Sequence, residues 1–164
     1  MSSVIKNLSD YRLTEKPELS TAKIGVIVSS WNTEITEALY RECRKTLVDL
    51  SVKKKNLLRL DVPGSFELAA AAKWLIESKR MEAIICLGCV IQGETRHFEF
   101  ICDAVANGIM ELNIRYSTPV IFGVLTTNDL QQALDRAGGR HGNKGTEAAV
   151  TAVQMILLKR KLLK

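Results

Sequence analysis

The chain has 164 residues, of which 46% are hydrophobic and 25% are charged, a balance typical of a globular domain. A net charge of +5 and a pI near 9.1 would suit nucleic-acid binding, but only 5% of the residues are aromatic and the basic residues are scattered. These features argue against a nucleic-acid partner. No apolar run reaches the roughly eighteen residues that a membrane helix needs, so we expect no membrane association and a cytoplasmic location.

Residues 1–22 form a polar arm without the apolar core of a signal peptide, and residues 23–164 are interpreted as one domain. Cys86 and Cys89 make a C-x-x-C pair, but they lie in an apolar strand, where residues three apart point to opposite faces. No second pair completes a metal ligand set. We therefore expect buried, reduced thiols and no metal site.

Hydrophobic periodicity predicts four strands that alternate with helices. The strands are expected at residues 23–29, 58–62, 83–92 and 119–125. Strands that alternate with helices form parallel sheets with right-handed crossovers. The predicted fold is an α/β three-layer αβα sandwich of the flavodoxin-like type, with a four-stranded parallel sheet.

Polar and glycine residues predict where these elements end. We expect Gly93 to end the third strand and Thr95 to cap the helix that follows it. We expect a second cap at residues 126–128, after the fourth strand, and a helix that carries Ala137 and stops at residues 138–139.

Chemically distinctive residues follow each predicted strand. Trp31 follows the first strand, residues 65–67 the second, residues 93–97 the third, and residues 126–127 the fourth. Because the carboxyl ends of parallel strands meet at one edge, one crevice is expected to hold an aromatic ring, a carboxylate, an imidazole and an anion-binding helix start. Such a crevice suits a planar polar molecule that carries a phosphate.

Each of these residues also has a structural interpretation. Trp31 fits a partly buried core position, and Phe122 lies in the middle of a strand, where aromatic residues are usually core. Glu67 and Arg136 have the charges that the nearby helix ends favour. His97 fits a polar residue in a first helical turn. Only their common position at one sheet edge favours a binding site.

Read together, four motifs resemble the lumazine synthase family, and the resemblance runs from about Ile24 to Leu158. The motifs are VPGSFEL at residues 62–68, GCVIQGETRHF at 88–98, PVIFGVLT at 119–126, and QALDRAG at 132–138 followed by GNKG at 142–145.

The resemblance implies a transferase that condenses 5-amino-6-(D-ribitylamino)uracil with 3,4-dihydroxy-2-butanone 4-phosphate. The products would be 6,7-dimethyl-8-ribityllumazine, phosphate and water, in riboflavin biosynthesis, and no cofactor is implied. Family members assemble as pentamers, in some cases as an icosahedral shell of twelve pentamers, with the active site shared between neighbouring subunits. The expectation extends to an association with riboflavin synthase.

The resemblance also implies roles for individual residues. His97 would be the catalytic proton shuttle, and Trp31 would stack on the pyrimidine. Phe122 and Arg136 would reach in from the adjacent subunit, to the pyrimidine and to the phosphate respectively. The remaining pyrimidine and ribityl contacts would come from Ser65, Phe66, Glu67, Cys89, Val90 and Ile91, and the remaining phosphate contacts from Glu94 and Thr95.

Three positions depart from the family pattern. Gln92 stands where Arg or Lys is usual, and Ala69 stands where Pro is frequent. Glu94 replaces a small residue, so we expect its side chain to turn away and only its backbone to bind phosphate. A non-catalytic lumazine- or flavin-binding shell protein is the main alternative, and loss of His97 or Arg136 would have favoured it. A flavodoxin-like redox or signalling module is a third hypothesis.

Overall fold

The computed structural model describes residues 17–163. Residues 1–16, most of the predicted N-terminal arm, lie outside the described residues. At the end of that arm, Leu19 and Ala22 are fully buried and pack into the hydrophobic core. The boundary of the domain at residue 23 stays a prediction.

Four strands form the central sheet: β1 (Ile24–Ser29), β2 (Leu57–Val62), β3 (Ala83–Ile91) and β4 (Val120–Thr127). Their order across the sheet is β2-β1-β3-β4, and every neighbouring pair is parallel. Helices flank the sheet, so the predicted α/β sandwich with four parallel strands is confirmed.

Five α-helices connect the strands: α1 (Thr33–Asp49), α2 (Leu68–Ser78), α3 (His97–Arg115), α4 (Leu130–Asp135) and α5 (Lys144–Leu162). Short 3₁₀ turns occupy Lys54–Asn56 and Ser65–Glu67, and a small antiparallel hairpin pairs β5 (Ala137–Gly139) with β6 (Gly142–Asn143).

The core has two halves, one on each face of the sheet. On one face, Leu39 and Leu47 of α1 pack with Val153 and Ile156 of α5. The other half contains buried residues of α2 and α3, Leu68, Leu75, Val105 and Ile109. Fully burying a side chain of this size stabilises the fold by about 1.5–3 kcal/mol, so the apolar stripe of each helix fixes its position on the sheet.

The cysteines of the C-x-x-C pair lie in different halves of the core, as their spacing predicts. Cys86 packs in the half that contains α2 and α3, and Cys89 packs in the half that contains α1 and α5. Burial raises the pKa of the Cys86 thiol to about 12 and that of Cys89 to about 11, so both are protonated at neutral pH. Within residues 17–163, no group of three or more His, Cys, Asp or Glu could hold a metal ion.

No helix in the described part of the chain is long and apolar enough to cross a membrane.

The predicted boundaries around β4 are wrong in two places. β4 continues to Thr127 because Val90 and Ile91 of β3 pair with its last two residues. The cap of α4 is therefore Asp129, whose carboxylate accepts a hydrogen bond from the backbone N–H of Gln132 at 2.8 Å.

The predicted end of α4 is also too late. The helix ends at Asp135, and Ala137 starts the β5–β6 hairpin instead of continuing the helix. Gly138 and Gly142 have φ angles of +116° and +79°, a backbone conformation that other residues rarely adopt. β3 likewise ends at Ile91, before Gly93.

Gly145 lies in the first turn of α5, where its backbone passes close to α1. A Cβ at this position would overlap the carbonyl oxygen of Leu39 and lie 2.7 Å from its carbonyl carbon. We expect Gly145→Ala to lower the free energy of unfolding by about 2 kcal/mol or more, because the two helices must move apart. Urea unfolding at fixed protein concentration measures this change.

Gly93→Ala is the matched control, since a Cβ at residue 93 meets no atom within 4 Å. Its unfolding free energy should stay within about 0.5 kcal/mol of the wild type. A Gly145→Ala variant as stable as the control would contradict the close packing of α1 and α5.

Candidate functional site

Backbone hydrogen bonds continue to join the two chain segments that follow β1 and β2 after the strands end. The backbone N–H of Ser30 donates to the carbonyl of Val62 at 2.8 Å, and the N–H of Trp31 donates to the carbonyl of Pro63 at 3.2 Å. The segment after β1 therefore follows the segment after β2, as expected at the carboxyl edge of a parallel sheet. This pairing brings Trp31 next to the turn at residues 64–67.

A cavity of about 620 Å³, here called the Trp31 pocket, lies at this edge. Its lining comes from the ends of β1, β2 and β3 and from the first turns of α3. The lining residues are Trp31, Asn32, Gly64, Ser65, Phe66, Glu67, Cys89, Val90, Ile91, His97 and Ile101. The pocket thus brings together eight of the predicted site residues.

The aromatic side chains of this pocket are open to solvent. Trp31 is 72% exposed and Phe66 is 59% exposed. Trp31 is therefore not a core residue, and its indole face is accessible to a planar ligand.

Glu67 is fixed by the turn that it belongs to. Its Oε2 accepts a hydrogen bond from the backbone N–H of Gly64 at 2.9 Å. A Cβ at residue 64 would lie 3.1 Å from Cδ1 of Trp31 and 3.2 Å from Oε2 of Glu67. Glycine at this position therefore lets the indole and the carboxylate approach the same stretch of backbone.

Asn32 is a pocket residue that the sequence predictions missed. Its backbone is left-handed, with φ of +56°, and its side-chain Nδ2 donates to the carbonyl of Cys89 at 3.0 Å. Its own carbonyl accepts hydrogen bonds from Ile35 and Thr36 and starts α1. Asn is one of the few residues other than Gly that tolerate this backbone conformation, which was the available signal in the sequence.

His97 is the first residue of α3 and lines the Trp31 pocket. The N-cap of α3 is Arg96 and not Thr95 as predicted, although the backbone N–H of His97 donates to the hydroxyl of Thr95 at 3.4 Å. Glu94 and Thr95 are exposed and are not among the residues that line the Trp31 pocket. Their role in phosphate binding stays a prediction.

A second cavity of about 490 Å³, here called the Arg136 pocket, contains the last predicted site residues, Phe122 and Arg136. Phe122 is 37% exposed, although it lies in the middle of β4. The lining residues are Phe122, Val124, Leu125, Thr126, Thr127, Gln132, Asp135, Arg136, His141 and Lys144.

Two cations of the Arg136 pocket share one buried carboxylate. Glu147 is 8% exposed, and its carboxylate forms ion pairs with Arg136 at 3.2 Å and with Lys144 at 3.1 Å. Asp135, which also lines this pocket, forms an ion pair with Arg140 at 3.7 Å. Among the residues that line the pocket, Arg136 and Lys144 are cationic and Asp135 is anionic, so the lining carries a net positive charge that favours an anion. Lys144 and Glu147 are further residues that the sequence predictions did not assign.

The four strand ends do not form the single crevice that we predicted. Thr126 and Thr127 lie in the Arg136 pocket, which shares no lining residue with the Trp31 pocket. In the sheet, β3 separates β4 from β1, although Thr126 and Thr127 pair with Val90 and Ile91 of the Trp31 pocket.

A third cavity, about 660 Å³, lies at the opposite end of the sheet, and its lining includes the basic residues Lys79, Arg80 and Lys159. α2 and α5 both end there, and cations at helix C-termini offset the partial charges of unpaired carbonyls. Arg160 is held by Glu82 at 2.7 Å. These structural roles account for the basic residues, so we do not place the functional site there.

Comparison with known proteins agrees with the motifs. Residues 21–160 match the family model described as 6,7-dimethyl-8-ribityllumazine synthase. The protein of that name from Cytophaga hutchinsonii is 56% identical over 95% of this chain and 98% of its own length. The protein of that name from Parabacteroides distasonis is 49% identical over 95% of this chain and 98% of its own length. The one from Flavobacterium johnsoniae is 46% identical over 98% of this chain and 85% of its own length. The chain therefore belongs to the 6,7-dimethyl-8-ribityllumazine synthase family.

Proposed function

We propose that this enzyme condenses 5-amino-6-(D-ribitylamino)uracil with 3,4-dihydroxy-2-butanone 4-phosphate to 6,7-dimethyl-8-ribityllumazine, phosphate and water in riboflavin biosynthesis. The observation that carries the proposal is the division of the site into two complementary pockets. One offers an aromatic face, a carboxylate and an imidazole, and the other offers an exposed ring and a cationic wall. Both His97 and Arg136 are present, so the non-catalytic shell protein has no support.

We infer that the two pockets meet across the contact between neighbouring subunits. The family resemblance assigns Phe122 to the adjacent subunit, and the separate lining of the two pockets within one chain supports that assignment. The face of α3 supports this arrangement, because Phe100, Met110 and Ile114 are each at least 61% exposed. Large exposed apolar side chains are typical of association surfaces.

From the family resemblance, we propose that the chain assembles as a pentamer. We also propose that pentamers form an icosahedral shell and that the assembly associates with riboflavin synthase. A cytoplasmic location belongs to the same proposal and is compatible with four free cysteines.

In this proposal, the pyrimidine stacks between Trp31 and the neighbour's Phe122. Glu67 is already oriented by Gly64, so its carboxylate accepts hydrogen bonds from the pyrimidine substrate without reorganisation. The second substrate binds with its phosphate toward Arg136 and Lys144 of the neighbour. Holding two substrates in register removes much of the entropic cost of a bimolecular reaction.

His97 serves the proton transfers of the reaction. The amine of the pyrimidine attacks the carbonyl of the second substrate and loses water to form an imine. Phosphate is then eliminated, the product tautomerises, and the second amine closes the ring with loss of water. Each step moves a proton, and imidazole is the side chain that gains and loses protons near neutral pH.

His97→Ala should slow formation of the lumazine chromophore by on the order of tenfold to a hundredfold, because proton transfer is lost while substrate positioning remains. Single-turnover absorbance with both substrates measures this rate. The reaction without enzyme sets the baseline. A variant that reacts at the wild-type rate would exclude His97 as the proton shuttle.

Arg136→Ala should raise the KM for 3,4-dihydroxy-2-butanone 4-phosphate by roughly ten- to a hundredfold, because a charge-assisted contact to the phosphate is lost. The affinity for the pyrimidine should change little. Arg140→Ala is the matched control, since Arg140 carries the same charge nearby but is not among the residues that line the pocket. Equal effects of both substitutions on this KM would indicate that the positive electrostatic potential of the region, and not a direct contact from Arg136, attracts the phosphate.

Mixed assemblies test whether the site is shared. When the His97→Ala and Arg136→Ala chains are unfolded together and reassembled, some interfaces join an intact His97 from one chain to an intact Arg136 from the other. Activity well above that of either variant alone is expected. If each site lay within one chain, mixing would restore nothing, and the inference of a shared site would be wrong.

A further inference from the structure

Two buried serine hydroxyls lie at the carboxyl ends of β1 and β2, next to residues that line the Trp31 pocket. Ser29 is the last residue of β1 and is 0% exposed, and Ser65 opens the turn after β2 and is 6% exposed. In the part of the chain that the structure describes, their Oγ atoms are the only buried side-chain polar atoms without a hydrogen-bond partner. Ser65 also lines the pocket.

The two hydroxyls occupy the same small region above Gly88 of β3. A Cβ at residue 88 would lie 2.5 Å from Oγ of Ser65 and 3.4 Å from Oγ of Ser29. Glycine in β3 therefore makes the space that both oxygens use. Rotation about the Cα–Cβ bond of each serine changes the direction in which its Oγ points, so this space allows more than one hydrogen-bonding arrangement.

Unpaired buried hydroxyls oppose folding, and most buried polar groups in proteins find a partner. Elsewhere in the described chain the pattern is ordinary, as for Asn143, whose Oδ1 accepts from the N–H of Gly145 at 2.8 Å. The two unpaired groups are thus confined to one place, directly below the candidate site. Groups that destabilise the free protein at such a place are typical of sites where a ligand supplies the missing partner.

We propose that Ser29 and Ser65 form a hydroxyl relay that the bound ligand completes. The hydroxyl of Ser65 turns into the pocket and donates to a ligand oxygen, and the hydroxyl of Ser29 donates to Oγ of Ser65. Ser65 contacts the ligand, and Ser29 is a positioning residue that acts through Ser65. The proposal rests on the proposed function, because it takes the ribityllumazine product as the ligand. The acceptor is an oxygen, either a hydroxyl of the ribityl chain or a carbonyl of the ring.

The first measurement is the thermal unfolding of the full-length variants Ser29→Ala and Ser65→Ala without ligand, at one protein concentration. Each substitution removes an unpaired buried group, so we expect each Tm to rise by about 2–4 °C. Ser30→Ala is the matched control, since Ser30 is adjacent and exposed, and its Tm should not change. A lower Tm in either variant would mean that the hydroxyl is already paired in the free protein and would overturn the relay.

The second measurement is the Kd of 6,7-dimethyl-8-ribityllumazine, followed by its fluorescence. We expect Ser65→Ala to bind about tenfold more weakly and Ser29→Ala to lose part of this affinity. The double variant should bind like Ser65→Ala alone, because Ser29 acts through Ser65. Wild-type affinity in the Ser65→Ala variant would overturn the proposal even if its Tm rises.

6,7,8-Trimethyllumazine, which has a methyl group in place of the ribityl chain, distinguishes the two acceptors. If the chain provides the oxygen, wild type and Ser65→Ala should bind this probe equally. If the ring provides it, the tenfold loss should persist. A wild-type protein that neither forms nor binds ribityllumazine would reject the proposed function and the relay with it. A wild type that forms the product while both serine variants bind normally would reject the relay alone.

Discussion

Hydrogen bonds between β1 and its two parallel neighbours position the candidate site. The register sets Ser29 opposite Val62 of β2, and Val28 opposite Leu87 of β3. The residues that follow β1 and β2 therefore leave the sheet at the same height, and backbone bonds from Ser30 and Trp31 continue the pairing into the loops, whereas β3 runs on to Ile91. The site thus depends on the sheet register more than on any single side chain.

The strand order has a second effect, because it separates two sets of functional residues. β4 lies next to β3 at one edge of the sheet, and within one chain Phe122 and Trp31 line different pockets. Each chain then carries two incomplete binding surfaces of different character. One is apolar and aromatic, and the other is cationic around the buried carboxylate of Glu147. In the proposed assembly, catalysis would depend on subunit contact, because each chain would contribute one of the two surfaces to a site.

The fold was largely predictable because its signals are local. Apolar runs and helical periodicity located the four strands to within a few residues, as for β1, predicted at residues 23–29 and found at Ile24–Ser29. The errors lie where distant residues decide the outcome. Pairing with Val90 and Ile91 extends β4, and the turn through Gly138 replaces the last turn of α4.

The candidate site was predictable in part. Trp31, Glu67 and His97 were placed near strand ends because parallel topology requires it, and the structure brings them into one pocket. The lateral order of strands leaves no trace in periodicity, so the separate position of Thr126 and Thr127 was missed. The unpaired hydroxyl of Ser29 was also beyond prediction, because its lack of a partner depends on the packing of three elements.

The order in which the two pockets occur along the chain bears on how the protein folds during synthesis. The residues of the Trp31 pocket end at Ile101, whereas those of the Arg136 pocket begin at Phe122. α5, the last element, packs against α1 and covers that face of the sheet. On the ribosome, β1 to β3 emerge before α5, so of these two helices only α1 can cover this apolar face until α5 is made. Exposed apolar surface makes folding intermediates prone to aggregation, so the final helix is where delayed synthesis or truncation does most harm.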